Sequence, residues 1–233
     1  MFTQKSKRRR GRPSGATSQG LATRQQLYDT AIGLIAEHGF EKTTLRDVAK
    51  AADVSVGLLY RYFPSKDAVV LALYDQLSEE LEQQAATMPR GKWRDRFLFA
   101  LDASLAVLRP HRLTLTALIP VLVGHAPDGL FSARTAFSRE RVQRVYQDAV
   151  VGSSDSPRDE VAAALGRLLY LVHLAVVLWW LLDKSPQQRA TRALIRLLAQ
   201  VLPPAALTLR LPKAGAFILA GDRLFQEALV GDS

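Results

Sequence analysis

The 233-residue sequence predicts an all-α fold with a small N-terminal domain and a larger helical C-terminal domain. Two observations carry this prediction. Apolar residues recur at three- and four-residue spacings along most of the chain, which is the period of one helix face. Beyond Gly91 there is no alternating strand pattern and no hairpin dipeptide, so we expect no sheet there. We expect about nine or ten helices in total.

Residues 1–20 form a basic arm without an apolar face, which we expect to be disordered when free. Six of the first 13 residues are Lys or Arg and none is acidic, so this arm carries about two-thirds of the formal charge of +9. Such a concentration of positive charge favours a polyanionic partner.

A short motif lies within the arm. Arg10-Gly11-Arg12-Pro13 resembles the core of an AT-hook, in which Arg10 and Arg12 would enter an A/T-rich minor groove. A generic basic tail that holds phosphates without reading sequence explains the same residues equally well. Both interpretations stay open on the sequence.

Residues 44–66 contain two short helices and the start of a third, each with its own capping signal. Thr44 is a good N-cap for the first helix, and Asp47 three residues later completes a capping box. Ser55 can cap the second helix and Ser65 the third. The pattern predicts a helix-turn-helix over residues 44–64.

The second short helix has an outward face that suits DNA better than water. Leu59 and Phe63, four residues apart, form its inward ridge. The residues left outward are Val56, Gly57, Tyr60, Arg61 and Tyr62. A major groove about 12 Å wide admits such a helix, with glycine allowing close backbone approach, tyrosine bonding phosphate and arginine bonding phosphate or guanine.

Lys66 lies at the positive end of the third helix, where a phosphate oxygen binds favourably. We therefore expect the DNA contacts to come from Arg10, Arg12, Thr44, Ser55, Val56, Gly57, Tyr60, Arg61, Tyr62 and Lys66.

The run from Thr44 to Lys66, ending in Leu59-Tyr60-Arg61-Tyr62-Phe63-Pro64-Ser65-Lys66, closely resembles the DNA-binding signature of TetR-family transcriptional regulators. The resemblance covers residues 22–82. It implies a DNA-binding domain over residues 21–82, a helical effector-binding and dimerisation domain over 91–202, and a palindromic operator on double-stranded DNA. Residues 203–233 lie beyond the family's nine-helix plan, and we expect either a short helix around 222–229 or an arm over a partner subunit.

Further helices are predicted from apolar periodicity and from Pro and Gly breaks. The first spans residues 21–38 and ends at Gly39, which we expect in the left-handed conformation. The others are predicted over 66–87, 93–108, 113–123, 130–151, 157–182 and 186–202.

The segment over residues 168–182 is apolar almost all round, so it must be covered on several sides. A membrane span needs about twenty residues, and this run is shorter and flanked by charge, so we expect no membrane contact. In the TetR family the last two long helices pair with the same helices of a second subunit. The resemblance thus implies a homodimer through 157–182 and 186–202.

The family also places its effector site among the central helices of the C-terminal domain. The aromatic, histidine and leucine residues there give the candidate lining Phe97, His111, Leu118, Tyr146, Tyr170, His173 and Trp179. No cluster of charge is apparent among these helices, so a small apolar or aromatic effector is expected.

The sequence gives no candidate catalytic or metal site. There is no cysteine, which excludes disulfides and thiolate ligands. The histidines His38, His111, His125 and His173 have no metal-ligand spacing, and no nucleophile elbow or phosphate-binding glycine loop occurs. We therefore expect no enzyme activity and no cofactor.

These observations predict a ligand-responsive transcriptional repressor in the bacterial cytoplasm, associated with the nucleoid. The alternative from another class is a small-molecule or lipid-binding helical protein whose basic arm contacts a membrane surface. Salt-dependent binding to a palindromic duplex separates the first from the second.

Overall fold

The computed structural model describes residues 18–124, 129–208 and 213–231, and within these ranges the only regular structure is helical. The predicted helical class is thus confirmed. The helices are α1 (Ser18–His38), α2 (Leu45–Ala51), α3 (Val56–Tyr62), α4 (Lys66–Ala85), α5 (Trp93–Leu108), α6 (Arg112–Ala117), α7 (Ile119–Val123), α8 (Ala136–Val151), α9 (Asp159–Leu182), α10 (Arg189–Thr208) and α11 (Ala214–Phe225).

The first three helices form a compact unit held by local capping. Thr44 Oγ1 accepts from the backbone N–H of Asp47, and the Asp47 carboxylate accepts from the backbone N–H of Thr44, so the predicted capping box is present. The Asp47 pKa lies below its usual range because the Thr44 hydroxyl, and then the Thr44 backbone, donate to the charged carboxylate. Gly39 ends α1 at φ +87°, as predicted.

The turn between α2 and α3 forms at Asp53, which has φ +53°. This left-handed conformation is one that Asp tolerates better than most residues with a side chain. Ser55 then caps α3 by accepting from the backbone N–H of Leu58 at 3.2 Å. Leu59 and Phe63 are buried, as their spacing predicted.

The larger part of the chain is organised around α8 and α9, which pack closely along their length. Gly166 of α9 makes this approach possible: a Cβ at this position would lie 2.5 Å from the Cα of Gln147 on α8. α4 and α5 cover α8, while α6, α10 and α11 pack on α9. α1 packs on α6, which joins the N-terminal unit to the rest.

The single helix predicted over residues 113–123 is wrong, because the chain breaks into α6 and α7 at Leu118. Pro120 has no N–H to donate to the carbonyl of Thr116, so the helix cannot continue unbroken across this point. The predicted helix over 130–151 also begins later, at Ala136. Before it, Thr135 Oγ1 donates to the carbonyl of Gly129 at 2.7 Å, and such side-chain bonds compete with helix formation.

The C-terminal region differs most from the expectation. α10 continues through Pro203 and Pro204 to Thr208 instead of ending at residue 202. The two prolines leave the carbonyls of Ala199 and Gln200 without helix partners, and both residues are exposed so water can satisfy them.

A further helix, α11, begins at Ala214, earlier than the short helix predicted around 222–229, and a π-helical turn over Gln226–Val230 follows it, so the predicted residues are helical. Asp222 of α11 accepts two bonds from Arg167 of α9, at 2.7 and 2.5 Å. The rings of Phe225 and Phe131 meet edge to face with their centroids 6.2 Å apart. The first contact fixes α11 on the N-terminal half of α9, and the second holds it against the segment before α8.

By length and composition α9 is apolar enough to cross a membrane, with 24 residues. The apolar run over residues 168–182 is therefore shorter than the helix that contains it. Within this fold α9 is a core helix, because α5, α6, α8, α10 and α11 all pack against it. This packing buries 39% of the most apolar window of α9, and side chains such as Trp179 and Leu182 remain exposed.

Candidate functional site

The predicted DNA-reading face of α3 is exposed. Tyr60 and Val56 are 49% and 37% accessible to solvent, and Gly57 and Arg61 are exposed beside them. Apart from its chain neighbours and the backbone of α3, no described residue has an atom within 4 Å of the position that a Cβ on Gly57 would occupy, so the backbone there is open to an approaching surface. Four of the predicted residues therefore share one accessible helix face.

Three other predicted contacts have a structural task within the protein. Thr44 and Ser55 are exposed, but their side-chain oxygens cap α2 and α3. Tyr62, which we expected to face outward, is half-buried and packs against the core. Tyr62 follows Leu59 by three residues, and side chains at this spacing lie on the same face of a helix. Tyr62 therefore turns toward the buried side on which Leu59 lies.

Lys66 differs most from its predicted role. Its ammonium donates to the carbonyl of Phe40 and lies 4.0 Å from the centroid of the Phe40 ring. The partly buried Lys66 thus ties the start of α4 to the link between α1 and α2. This corrects the expectation of a free cation at the helix start. Arg10 and Arg12 lie outside the described residues.

A cavity of about 140 Å³ lies between α4, α5, α6, α7, α8 and α9. Leu77, Leu81 and Val107 are typical of its largely apolar wall. Its polar lining includes Ser104, Tyr170 and His173, so two of the predicted ligand residues lie on the cavity wall.

Behind this wall lies an aromatic stack. The Tyr146 and His173 rings are stacked at a centroid distance of 4.8 Å, and Phe97 packs on Tyr146 at 5.8 Å. Phe97 and Tyr146 are fully buried and do not line the cavity. They support His173 from behind instead of meeting a ligand directly.

The remaining predicted ligand residues also lie off the cavity wall. Leu118 is fully buried at the break between α6 and α7. His111 lies in a short 3₁₀ turn before α6, and Trp179 is half-exposed on the outer side of α9. Helical periodicity identified the apolar positions of these helices. It did not show which face of a helix that is apolar on several sides lies against the cavity.

The titratable groups in this region are mostly neutral. Burial lowers the pKa of His173 to about 3, so its imidazole is uncharged at neutral pH. Its Nε2 lies 2.8 Å from Ser104 Oγ, and its Nδ1 is buried without a hydrogen-bond partner. Burial also raises the pKa of Tyr146 and that of Tyr170, so both phenols stay protonated.

Arg139 is the charged residue of the cavity wall, and it is absent from the predicted ligand set. It is 8% exposed and contributes a positive charge to a wall that we expected to be uncharged. A signal existed in the sequence: Arg139 and Val142 share the helix face on which Val145 and Tyr146 are buried. An arginine on the helix face that packs against the core is unusual, because its charge must then be buried.

Among the parts of the chain that the structure describes, no group of three or more His, Asp or Glu side chains is arranged to hold a metal ion. Arg112 and Arg96, two other interior-facing cations, are bound to backbone carbonyls. Arg112 donates to the carbonyls of Trp180, Leu181 and Asp183 at the end of α9. These two arginines therefore cap helix ends, and Arg139 is the arginine that lines the cavity.

Residues 27–73, which include α2, α3 and the start of α4, match the sequence profile of the bacterial regulatory proteins of the tetR family. The transcriptional repressor KstR of Rhodococcus jostii is 25% identical over 162 residues, which are 70% of this chain and 74% of that repressor. A probable acrEF/envCD operon repressor of Escherichia coli is 49% identical over 49 residues, 21% of this chain and 22% of its own.

Solved structures show the same fold. A TetR regulator from Nitrosomonas europaea superposes with a TM-score of 0.56 at 21% identity, over 78% of this chain and 98% of that one. A tetR-family regulator from Streptomyces coelicolor has a TM-score of 0.58 at 19% identity, over 87% and 89% of the two chains. With the exposed face of α3 and the helical domain behind it, these matches show a tetR-type DNA-binding segment over residues 27–73 and the fold of TetR-family regulators, and they support a TetR-family transcriptional regulator.

Proposed function

We propose that this protein is a dimeric transcriptional repressor that reads DNA with α3 and is released when a small molecule enters the cavity beside α4. The observation that carries the proposal is the position of α4. This helix begins directly after the DNA-reading unit, and its residues Tyr74, Leu77, Ser78 and Leu81 line the cavity. One rigid element thus joins the two sites.

The DNA contacts are assigned to the exposed face of α3. Gly57 lets the helix backbone approach the groove, Tyr60 bonds phosphate, and Arg61 bonds phosphate or a guanine edge. Thr44 and Ser55 hold the helix starts in place, with their exposed side chains next to the phosphate backbone. Arg10 and Arg12 extend the interface into the adjacent minor groove if the AT-hook resemblance holds.

Release follows from the geometry of α4. The first cavity-lining residue, Tyr74, lies eight residues after Lys66, or about 12 Å along the helix axis. Ser138 Oγ donates to the carbonyl of Tyr74 at 3.1 Å, so α8 contacts α4 at the cavity wall. A ligand that widens the cavity would push α4 away from α8 and change the spacing of paired α3 helices.

A homodimer through α9 and α10 gives the two-fold symmetry that a palindromic operator needs. Two α9 side chains, Trp179 and Leu182, and two on α10, Leu197 and Val201, are each at least 50% exposed. Apolar side chains of this size on adjacent helices are typical of an oligomer interface. Trp179, first taken for a ligand residue, is thereby assigned to the dimer.

We place the arm at residues 1–17, because α1 begins at Ser18, the DNA-reading domain at 18–82 and the effector domain from residue 91. The C-terminal limit of that domain moves from 202 to 208, because α10 runs across the original boundary. The extension from there carries α11. The protein would act in the bacterial cytoplasm on the nucleoid.

The proposal is tested by titrating a fluorescent duplex pool with the full-length protein at several salt concentrations. We expect affinity that falls steeply with salt, and a substantial loss of binding for the Tyr60→Ala and Arg61→Ala double variant. A parallel titration with anionic vesicles tests the lipid-binding alternative. Vesicle binding that is unaffected by the double variant, without salt-dependent duplex binding, would favour that alternative and contradict the repressor.

A further inference from the structure

Arg139 is a buried cation on the wall of the cavity. It lies in the first turn of α8 and is 8% exposed. Arginine keeps its charge in proteins at any ordinary pH, so its burial places a fixed positive charge in an apolar setting. Such a charge is costly unless an anion or well-aligned acceptors compensate it.

The compensation that the protein provides is incomplete. Arg139 Nη1 donates to the carbonyl of Leu130 at 3.3 Å and to that of Ser132 at 3.0 Å. The described carboxylates in ion pairs serve other cations: Asp75 and Glu82 pair with Arg141, and Asp222 pairs with Arg167. Within the described ranges, Arg139 thus has neutral acceptors on one nitrogen and no carboxylate partner.

The rest of the polar lining is neutral. His173 is uncharged because burial lowers its pKa to about 3, and its Nδ1 lacks a partner. Burial raises the pKa of Tyr170, and the nearby charge of Arg139 acts in the opposite direction on that phenol. The cavity therefore combines one positive charge with apolar walls and uncharged hydrogen-bonding groups.

We propose that the effector is an apolar monocarboxylic acid whose carboxylate pairs with Arg139 while its hydrocarbon body fills the space lined by Leu77, Leu81 and Val107. This inference rests on the proposed function, because it takes the cavity to be the effector site. One arginine matches one negative charge, and a dianionic phosphate would bury a second charge without a second cation. Arginine binds carboxylates in a bidentate geometry that Lys cannot reproduce.

The cavity volume limits the hydrocarbon body. An apolar cavity of about 150 Å³ in another protein admits one benzene ring. The present cavity of about 140 Å³ therefore suits one ring or a short alkyl chain without rearrangement. Phenylacetate and hexanoate are suitable probes, and phenylacetamide and hexanamide are their uncharged counterparts of nearly the same shape.

The experiment measures binding of these four probes to the full-length protein by calorimetry. We expect each carboxylate to bind at least tenfold more tightly than its amide. Arg139→Gln should remove that preference, and Arg139→Lys should retain part of it. Arg144→Gln is the matched control, because Arg144 lies on the same helix with a half-exposed side chain paired to Glu82, and it should behave as wild type.

Equal affinities of acid and amide for the wild-type protein would overturn the inference. So would the absence of binding by all four probes, or an unchanged acid preference in Arg139→Gln. If Arg139→Gln does not fold, the inference is tested by the acid and amide affinities of the wild-type protein and of Arg139→Lys. Displacement of bound duplex is measured separately: a carboxylate that binds without displacing DNA contradicts the proposed function alone, while displacement by amides as readily as by acids contradicts this inference alone.

Discussion

The ammonium of Lys66 donates to the carbonyl of Phe40 and lies over the Phe40 ring. This contact ties the first turn of α4 to the start of the loop after α1, 26 residues earlier in the chain. The lysine at the first position of α4 therefore stabilises the orientation of the DNA-reading unit. Arg61, one helix earlier, remains exposed and available for phosphate.

Lys66 should contribute to the stability of the fold, and Arg61 should contribute to DNA binding. Lys66→Gln removes a hydrogen bond from a charged donor and should lower the free energy of unfolding by about 1–2 kcal/mol, leaving the salt dependence of DNA binding unchanged. Arg61→Gln should leave stability nearly unchanged and reduce the slope of log K against log salt by about one.

Chemical unfolding and duplex titrations over a salt series measure both effects. Arg158→Gln is the charge control, because Arg158 is exposed immediately before α9, outside the DNA-reading unit. A smaller slope for Lys66→Gln with an unchanged slope for Arg61→Gln would reverse the two assignments.

Substitution of Gly57 should weaken DNA binding without lowering the stability of the fold. Gly57→Ala places a methyl group where, apart from its chain neighbours and the backbone of α3, no described residue has an atom within 4 Å, so the folded state should be unchanged or stabilised by up to about 1 kcal/mol. The same methyl group would hinder approach of α3 to the groove and lower DNA affinity. Gly33→Ala on α1 is the control, with equally open space and no proposed DNA contact. Undiminished DNA affinity in Gly57→Ala would show that close approach at this position is not required.

The capping box at Thr44 should make part of the stability depend on pH. The Asp47 pKa is lowered in the folded protein, so its contribution is present above the unfolded pKa of about 3.9 and is lost as pH falls through the lower folded value. Asp47→Asn should therefore destabilise the protein at pH 7 and have a smaller effect at pH 3. Urea unfolding at both pH values measures this, and equal effects at the two would contradict it.

The exposed apolar side chains of α9 and α10 should hold the dimer together. Trp179→Ala and Leu197→Asp should each weaken dimerisation by at least about 2 kcal/mol, or roughly 30-fold, as expected at the centre of an interface. Analytical ultracentrifugation over a concentration series measures the change. Leu113→Asp on α6 is the control, because Leu113 is 68% exposed on another face. If Leu113→Asp dissociates the dimer and Leu197→Asp does not, the interface lies elsewhere.

Features governed by short-range chemistry were predictable from the sequence. Thr44, Ser55 and Ser65 cap their helices because the capping bond spans only a few residues. Gly39 takes the left-handed conformation for the same local reason. The signature that identifies the family is concentrated in this region.

The cavity could be predicted only in part, because its wall is assembled from distant segments. Ser104 and His173 are 69 residues apart in sequence and meet across α5 and α9. A helix that is apolar almost all round, such as α9, does not show from its pattern which side faces the cavity, so Trp179 was assigned to the wrong side. Arg139 escapes the apolar pattern of α8, because a charged residue on a core-facing stripe does not contribute to that pattern.

Selection of bound duplexes from a genomic pool tests the central claim most directly. The full-length protein should enrich a two-fold symmetric sequence whose half-sites are separated by one helical turn of DNA, about 34–36 Å, or a multiple of it. The Tyr60→Ala and Arg61→Ala double variant should lose that enrichment. Enrichment of no sequence, or of an asymmetric sequence that the double variant also enriches, would contradict DNA reading by a pair of α3 helices.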